Sequence, residues 1–197
     1  MATQHPDNAC APYWKPNGDG FVSVNEEIQE CASNFKDLGV EEFMWDWEGK
    51  YADEAVIDKL FSSYYDFFRV HYLGKDEFLT FRLPNVWQEK GYSLIRALMV
   101  ILTSEDFARD LRFYAPPLFE VILPMAQRPE QLIYIQHCFQ ELARFKSKIF
   151  EHHRGKNTDY VHIIPLLEGV GDQIAIRSFL EKYIYLHQKR FGAKPKY

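Results

Sequence analysis

No Cys-x-x-Cys pair occurs in this sequence: Cys10, Cys31 and Cys138 are odd in number and far apart. That spacing argues against a disulfide framework and against a thiolate zinc site, and it fits a reducing compartment. A basic run is also missing. The formal charge of -5 comes from 23 basic and 28 acidic residues of mixed order, so the electrostatic footprint of a nucleic-acid binder is absent. The first residues have neither the basic region nor the apolar stretch of a signal peptide. The longest apolar run, around Leu94 to Leu102, is broken by Arg96 and is too short to span a membrane. These absences predict a cytoplasmic protein with neither nucleic acid nor membrane as a partner. GxGxxG, Walker, GxSxG and HExxH patterns are absent too, which removes the common nucleotide-binding, hydrolase and zincin signatures.

What is present is apolar and aromatic. With 47% hydrophobic and 16% aromatic residues, 197 positions suffice for one domain with a sizeable core. After a polar leader over 1–22, the stretch "SVNEEIQECASNFKDLG" places Ile28, Cys31, Ala32, Phe35 and Leu38 at a helical period. Ser23 and Glu26 are spaced as a capping box and Gly39 is a stop, which predicts a helix over 23–39. Strand-like segments then start near Glu41, Glu77, Pro117 and Val161. Between them lie helical patterns: "DEAVIDKLFSSYYDFFRVHYLG" as one helix, "EKGYSLIRALMVILTS" and "EDFARDLRFYA" as two pieces, and a long helix with Pro129 in its first turn. A last helix reaches Gly192. About four βα units over 40–192 predict a parallel α/β sheet. Four units are half of a closed (β/α)8 barrel, so the pattern leaves either an open sheet or an incomplete barrel.

In βα architectures chemistry collects at the C-terminal strand ends. That rule selects Asp46, Glu48 and Lys50 in "MWDWEGK", Arg82 in "TFRLPN", the turn after "EVILPM", and Glu168 in "IIPLLEG". Carboxylates beside an arginine suit a hard divalent cation and an anionic, oxygen-rich substrate. Three other patterns carry less. "KPNGDGFVSVNEE" imitates an EF-hand loop, but Lys15 stands where the first ligand belongs, and Pro12 and Pro16 prevent a regular helix leading in. His137 and Glu141 share a helix face without an apparent third ligand. "EHHRGKN" groups His152, His153, Arg154 and Lys156 where a helix C-terminus favours cations anyway.

Taken in order, "TQHPDN", "EEFMWDWEGK", "FLTFRLPN", "PLFEVILPM" and "VHIIPLLEG" resemble the motifs of the archaeal-type phosphoenolpyruvate carboxylases, over essentially the whole chain. The resemblance implies the first half of a TIM-type (β/α)8 barrel, entered by an N-terminal substrate-facing segment and helix, with the C-terminal half absent. It implies a lyase that converts phosphoenolpyruvate and bicarbonate to oxaloacetate and phosphate, an anaplerotic carbon dioxide fixation that feeds the tricarboxylic acid cycle. Mg2+ or Mn2+ would be the cofactor, and the complete enzyme a homo-oligomer. Residue by residue, His5 resembles the histidine of the Thr-Ala-His-Pro motif in the larger plant and bacterial carboxylases, and Arg82 the barrel arginine facing the substrate; both would be catalytic. Glu168 resembles the strand-end metal ligand, although Leu167 replaces an aromatic residue beside it. Asp46, Glu48 and Lys50 match a substrate-binding motif. Glu120, in "PLFE", falls in a different family block. Bicarbonate would attack the phosphoryl group, giving carboxyphosphate and an enolate that captures the released carbon dioxide, with His5 handling the proton or the charge of carboxyphosphate. The chain alone is then expected to be inactive and, with uncovered edges, to self-associate. Another metal-dependent carbon-carbon lyase or aldolase, or a non-catalytic interaction fragment, are the competing expectations.

Overall fold

The computed structural model describes residues 1–3, 23–47, 54–89, 91–149 and 158–196. Along the chain these form β1 (Ala2–Thr3), α1 (Val24–Lys36), β2 (Glu42–Asp46), α2 (Val56–Ser63), α3 (Tyr65–Phe68), β3 (Phe78–Arg82) and α4 (Ser93–Asp110). β4 (Glu120–Leu123), α5 (Pro129–Ile149), β5 (His162–Pro165), α6 (Val170–Ile174) and α7 (Ile176–Phe191) follow. Ser23 starts α1 with the expected reciprocal pair: its hydroxyl accepts from the Glu26 N–H at 3.4 Å, and Glu26 Oε2 accepts from the Ser23 N–H at 2.7 Å. Glu26 is thereby committed to a cap, which agrees with setting aside the EF-hand imitation; residues 15–22 of that stretch lie outside the described residues.

The five strands run parallel in the order β1-β2-β3-β4-β5. The first is an addition to the expected four: the leader opens as a two-residue strand, with Ala2 opposite Phe43. Register sorts the side chains into two faces, because successive strand residues alternate sides. One face carries Phe43, Trp45, Leu79, Phe81, Val121, Leu123 and Ile163, all buried, and the helices cover it; Phe35 of α1 meets Phe43 edge-on at 6.4 Å between ring centres. The other face carries Glu42, Met44 and Asp46 beside Phe78, Thr80 and Arg82, then Glu120 and Ile122 beside His162 and Ile164. Polar groups on it bond across strands, as when the Thr80 hydroxyl donates to Glu42 Oε1 at 2.8 Å.

Three helical expectations change. The helix expected to run to Gly74 breaks at Tyr64 (φ -127°, ψ 34°) into α2 and α3, after two serines that are weak helix formers. The two segments of helical pattern before β4 form one helix, α4, within which Thr103 and Ser104 turn their hydroxyls back onto the Met99 and Ile101 carbonyls. The last helix divides at Ala175 into α6 and α7. α5 is tied to α4 by a buried lysine, Lys146, whose Nζ donates to the Leu102 carbonyl at 2.6 Å and pairs with Asp106 at 2.5 Å. Among the described residues no helix is long and apolar enough to cross a membrane.

Two consequences can be measured. Gly74 (φ +88°) and Gly39 (φ +65°) both sit where an L side chain costs about 1–2 kcal/mol, but only at Gly74 would a Cβ fall 2.0 Å from the Pro116 carbonyl oxygen. Urea unfolding is expected to show Gly74→Ala as the more damaging change by at least about 1 kcal/mol; equal losses would contradict the close approach. Second, burial, then Lys196, depress the pKa of His162 below 6.5 against the opposing pull of Glu120. The unfolded chain therefore takes up this proton first, and stability is present above 6.5 and lost as pH falls through the unfolded and then the folded value. Wild type should lose more unfolding free energy than His162→Gln between about pH 7 and pH 5, and parallel curves would refute the assignment.

Candidate functional site at the strand ends

β2 ends at Asp46 and β3 at Arg82, and the register sets them side by side. Pro84 stops β3 by removing a ladder donor, and the chain turns back through Asn85 so that Glu89 faces the same arginine. Arg82 Nη1 donates to Asp46 Oδ1 at 3.2 Å and Nη2 to Glu89 Oε1 at 2.8 Å. The three side chains are between 8% and 16% exposed, low enough for solvent to screen these pairs weakly. Burial works against the Arg82 charge. The bond to Glu89, with the charges of Asp46, Glu89 and Glu168, outweighs it and holds the guanidinium above its ordinary value.

From Glu89 the bonding continues across the rim. Glu89 Oε2 accepts from the Asn85 N–H at 2.7 Å. Asn85, fully buried, sends Nδ2 to the Pro124 carbonyl at 2.8 Å and to that of Met125 at 3.3 Å, and its Oδ1 accepts from the Trp87 N–H at 3.0 Å. Pro124 and Met125 lie between β4 and the point where the Ala126 N–H bonds to the Leu166 carbonyl, just past β5. The Met125 N–H donates to Glu168 Oε1 at 3.3 Å. One hydrogen-bonded line therefore runs Asp46, Arg82, Glu89, Asn85, Met125, Glu168, crossing the ends of β2, β3, β4 and β5.

The strand-end rule thus brings together Asp46, Arg82 and Glu168. Asp46 pairs with the arginine it was expected to stand beside. His5, Glu48 and Lys50 lie outside the described residues, as do His152, His153, Arg154 and Lys156. Glu120 sits at the first residue of β4, opposite His162 and away from the rim, with Lys196 Nζ 3.5 Å from it. His137 faces Arg190 and Glu141 pairs with Arg144, so each member of that helical pair has a cationic neighbour. Glu89 and Asn85 escaped the sequence reading. Glu89 lies in "EKGYSL", which reads as a helix start, and only the turn after Pro84 returns it to Arg82.

Among the described residues no group of three His, Cys, Asp or Glu side chains is placed to hold a metal. Glu168 fits as one ligand: it is exposed, and the Met125 N–H holds one of its oxygens. Mg2+ is commonly held by one or two carboxylates with substrate oxygens and waters, which such a donor suits.

A family profile described as phosphoenolpyruvate carboxylase matches residues 1–194. The phosphoenolpyruvate carboxylase of Leuconostoc mesenteroides subsp. mesenteroides is 52% identical over the whole chain, which covers 39% of it. That of Oenococcus oeni is 51% identical over 98% of the chain and 38% of its own length. That of Pyrococcus furiosus is 36% identical over 93% of the chain and 41% of its own length. The chain thus spans about two fifths of these relatives, and it belongs to the phosphoenolpyruvate carboxylase family.

Proposed function

We propose that this chain supplies the arginine side of an active site that carboxylates phosphoenolpyruvate with bicarbonate to oxaloacetate and phosphate. The carrying observation is the rim of parallel strands at which Arg82 is fixed between two carboxylates, in a chain whose curated relatives are named phosphoenolpyruvate carboxylases. The strands follow one another in chain order with no reversal, which supports the first half of a (β/α)8 barrel over a doubly wound sheet, where the order reverses. Among the described residues the sheet ends at β1 and β5, and Val170, Ile174 and Ile176 beside β5 are exposed apolar residues. Such a surface favours cover by the further length that the relatives have or by a second copy in a homo-oligomer. A cytoplasmic setting accords with the absence of a membrane-crossing helix among the described residues.

Arg82 has five N–H donors, of which Asp46 and Glu89 engage two. The others can grip the phosphate of phosphoenolpyruvate and stay with it as the phosphoryl group passes to bicarbonate. The phosphorus–enol oxygen bond breaks as the bond to bicarbonate forms. Carboxyphosphate then releases carbon dioxide and phosphate, and the enolate carbon attacks the carbon dioxide. Glu168 would be a ligand to Mg2+ or Mn2+, which when bound supplies Lewis-acid stabilisation of the enolate and phosphoryl oxygens. His5 would handle the proton and charge of carboxyphosphate, and Glu48 and Lys50, with Asp46, would line the substrate. Turnover is proposed to need the further length found in the relatives, since the chain spans about two fifths of them.

Phosphate release that requires bicarbonate, together with oxaloacetate formation, separates this reading from another carbon-carbon lyase. In the whole polypeptide that carries these residues, Arg82→Lys should lower kcat/KM for phosphoenolpyruvate by about 10^2- to 10^3-fold, since an ammonium cannot reproduce the forked geometry. Activity near wild type would remove Arg82 from the reaction. His5→Asn should reduce kcat by about 10^2- to 10^4-fold, and wild-type oxaloacetate formation in that variant would show that the histidine has no part in it.

A further inference from the structure

We infer that Asn85 is a positioning residue that orients Arg82 and Glu168 together by holding the Pro124–Met125 peptide group in a strained setting. This rests on the reading of Arg82 and Glu168 as the anion-gripping and metal-holding groups of the site.

One peptide plane links the two groups. Its carbonyl belongs to Pro124 and its N–H to Met125. Asn85 Nδ2 donates to the carbonyl at 2.8 Å, and the N–H at the other end donates to Glu168 Oε1 at 3.3 Å. Met125 has φ +48°, a left-handed conformation that a residue with a side chain adopts at a cost of about 1–2 kcal/mol. Flipping this plane would change φ of Met125, and it would also turn the N–H away from Glu168. Asn85 opposes that flip from a fully buried position, where an unpaired amide would itself be costly.

The main chain of the same residue reaches the other end of the site. Its N–H fixes Glu89 Oε2 at 2.7 Å, and Glu89 Oε1 fixes the Arg82 guanidinium at 2.8 Å. Only an amide side chain does both local jobs: Oδ1 accepts from Trp87 to shape the turn, and Nδ2 donates across to the Pro124 and Met125 carbonyls. A carboxylate of the same shape keeps the first and loses the second, while a serine hydroxyl can accept from Trp87 but is too short to cross.

The test compares Asn85→Asp with Glu89→Gln in the whole polypeptide, using Mn2+ binding followed by the free-Mn2+ EPR signal together with steady-state kinetics for phosphoenolpyruvate. Circular dichroism checks that each variant is folded. Asn85→Asp is expected to weaken Mn2+ binding by about 10- to 100-fold, the usual effect of losing a partner behind a metal ligand, and to raise KM for phosphoenolpyruvate, because losing the Nδ2 bond to Pro124 unties the turn whose main-chain N–H holds Glu89 against Arg82. Glu89→Gln should raise that KM while weakening Mn2+ binding less than Asn85→Asp does, because the Glu89 carboxylate bonds Arg82 and the Asn85 N–H and has no bond to the Pro124–Met125 peptide that holds Glu168. Adding Met125→Gly, which removes the penalty of positive φ, should restore part of the Mn2+ affinity lost in Asn85→Asp. If Asn85→Asp does not fold, Asn85→Ser is judged by the same outcomes. Unchanged Mn2+ affinity in a folded variant overturns the inference. So does a fall in kcat with Mn2+ affinity and KM unchanged, the mark of lost folded protein alone, and so does a wild type that binds no Mn2+. Mn2+ binding needs no turnover, so a wild type that binds Mn2+ without carboxylating defeats the carboxylase reading while this inference is still decided by the Mn2+ result.

Discussion

The rim depends on a partly buried positive charge, the guanidinium of Arg82. A charge withdrawn from water is costly unless it is paired and hydrogen-bonded, and one acidic partner would leave the plane of the guanidinium free to turn. Asp46 and Glu89 bond separate nitrogens, which compensates the burial and fixes the plane. The pair comes from different sources. Asp46 is supplied by strand register, so it is as fixed as the sheet; Glu89 is supplied by a turn, so it is only as fixed as Asn85 makes it.

Charge at the rim follows from the same arrangement. Asp46, Glu89 and Glu168 outnumber the single arginine, so the described part of the site is formally acidic. Such a cluster attracts a divalent cation more readily than it attracts a substrate with a phosphate and a carboxylate. On the proposed reading, an anionic substrate would need further positive charge; a divalent cation would supply part of it, and Lys50 and His5, in motifs near this rim in sequence, have the chemistry to supply more.

How far the sequence could be read depended on whether a feature was local. The apolar alternation of β2 to β5 and the Ser23–Glu26 cap are written in neighbouring residues, and they stand at or within three residues of where the pattern put them. Strand-end residues follow from those strands, so the positions of Asp46, Arg82 and Glu168 on one rim were legible in the sequence. The breaks at Tyr64 and Ala175 were not, because neither Gly nor Pro marks them. The two helical segments before β4 join because Thr103 and Ser104, inside α4, turn their hydroxyls onto carbonyls of the preceding turn. β1 is too short to carry a period.

Glu89 and Asn85 were illegible for a different reason. Their importance lies in what the chain meets after it turns, at 39 residues' separation in the case of Asn85 and Pro124, and no local pattern encodes that meeting. The strained residue in the line, Met125, shows why such a link is more than filler. A left-handed methionine persists only where its surroundings determine it more strongly than its own backbone preference. Here the determining groups are the buried amide of Asn85 on one side and, on the other, the bond from the Ala126 N–H to the Leu166 carbonyl just past β5. The rim is therefore held between strands, and a change at the β3 turn reaches the carboxylate after β5 without any contact between the two side chains being required.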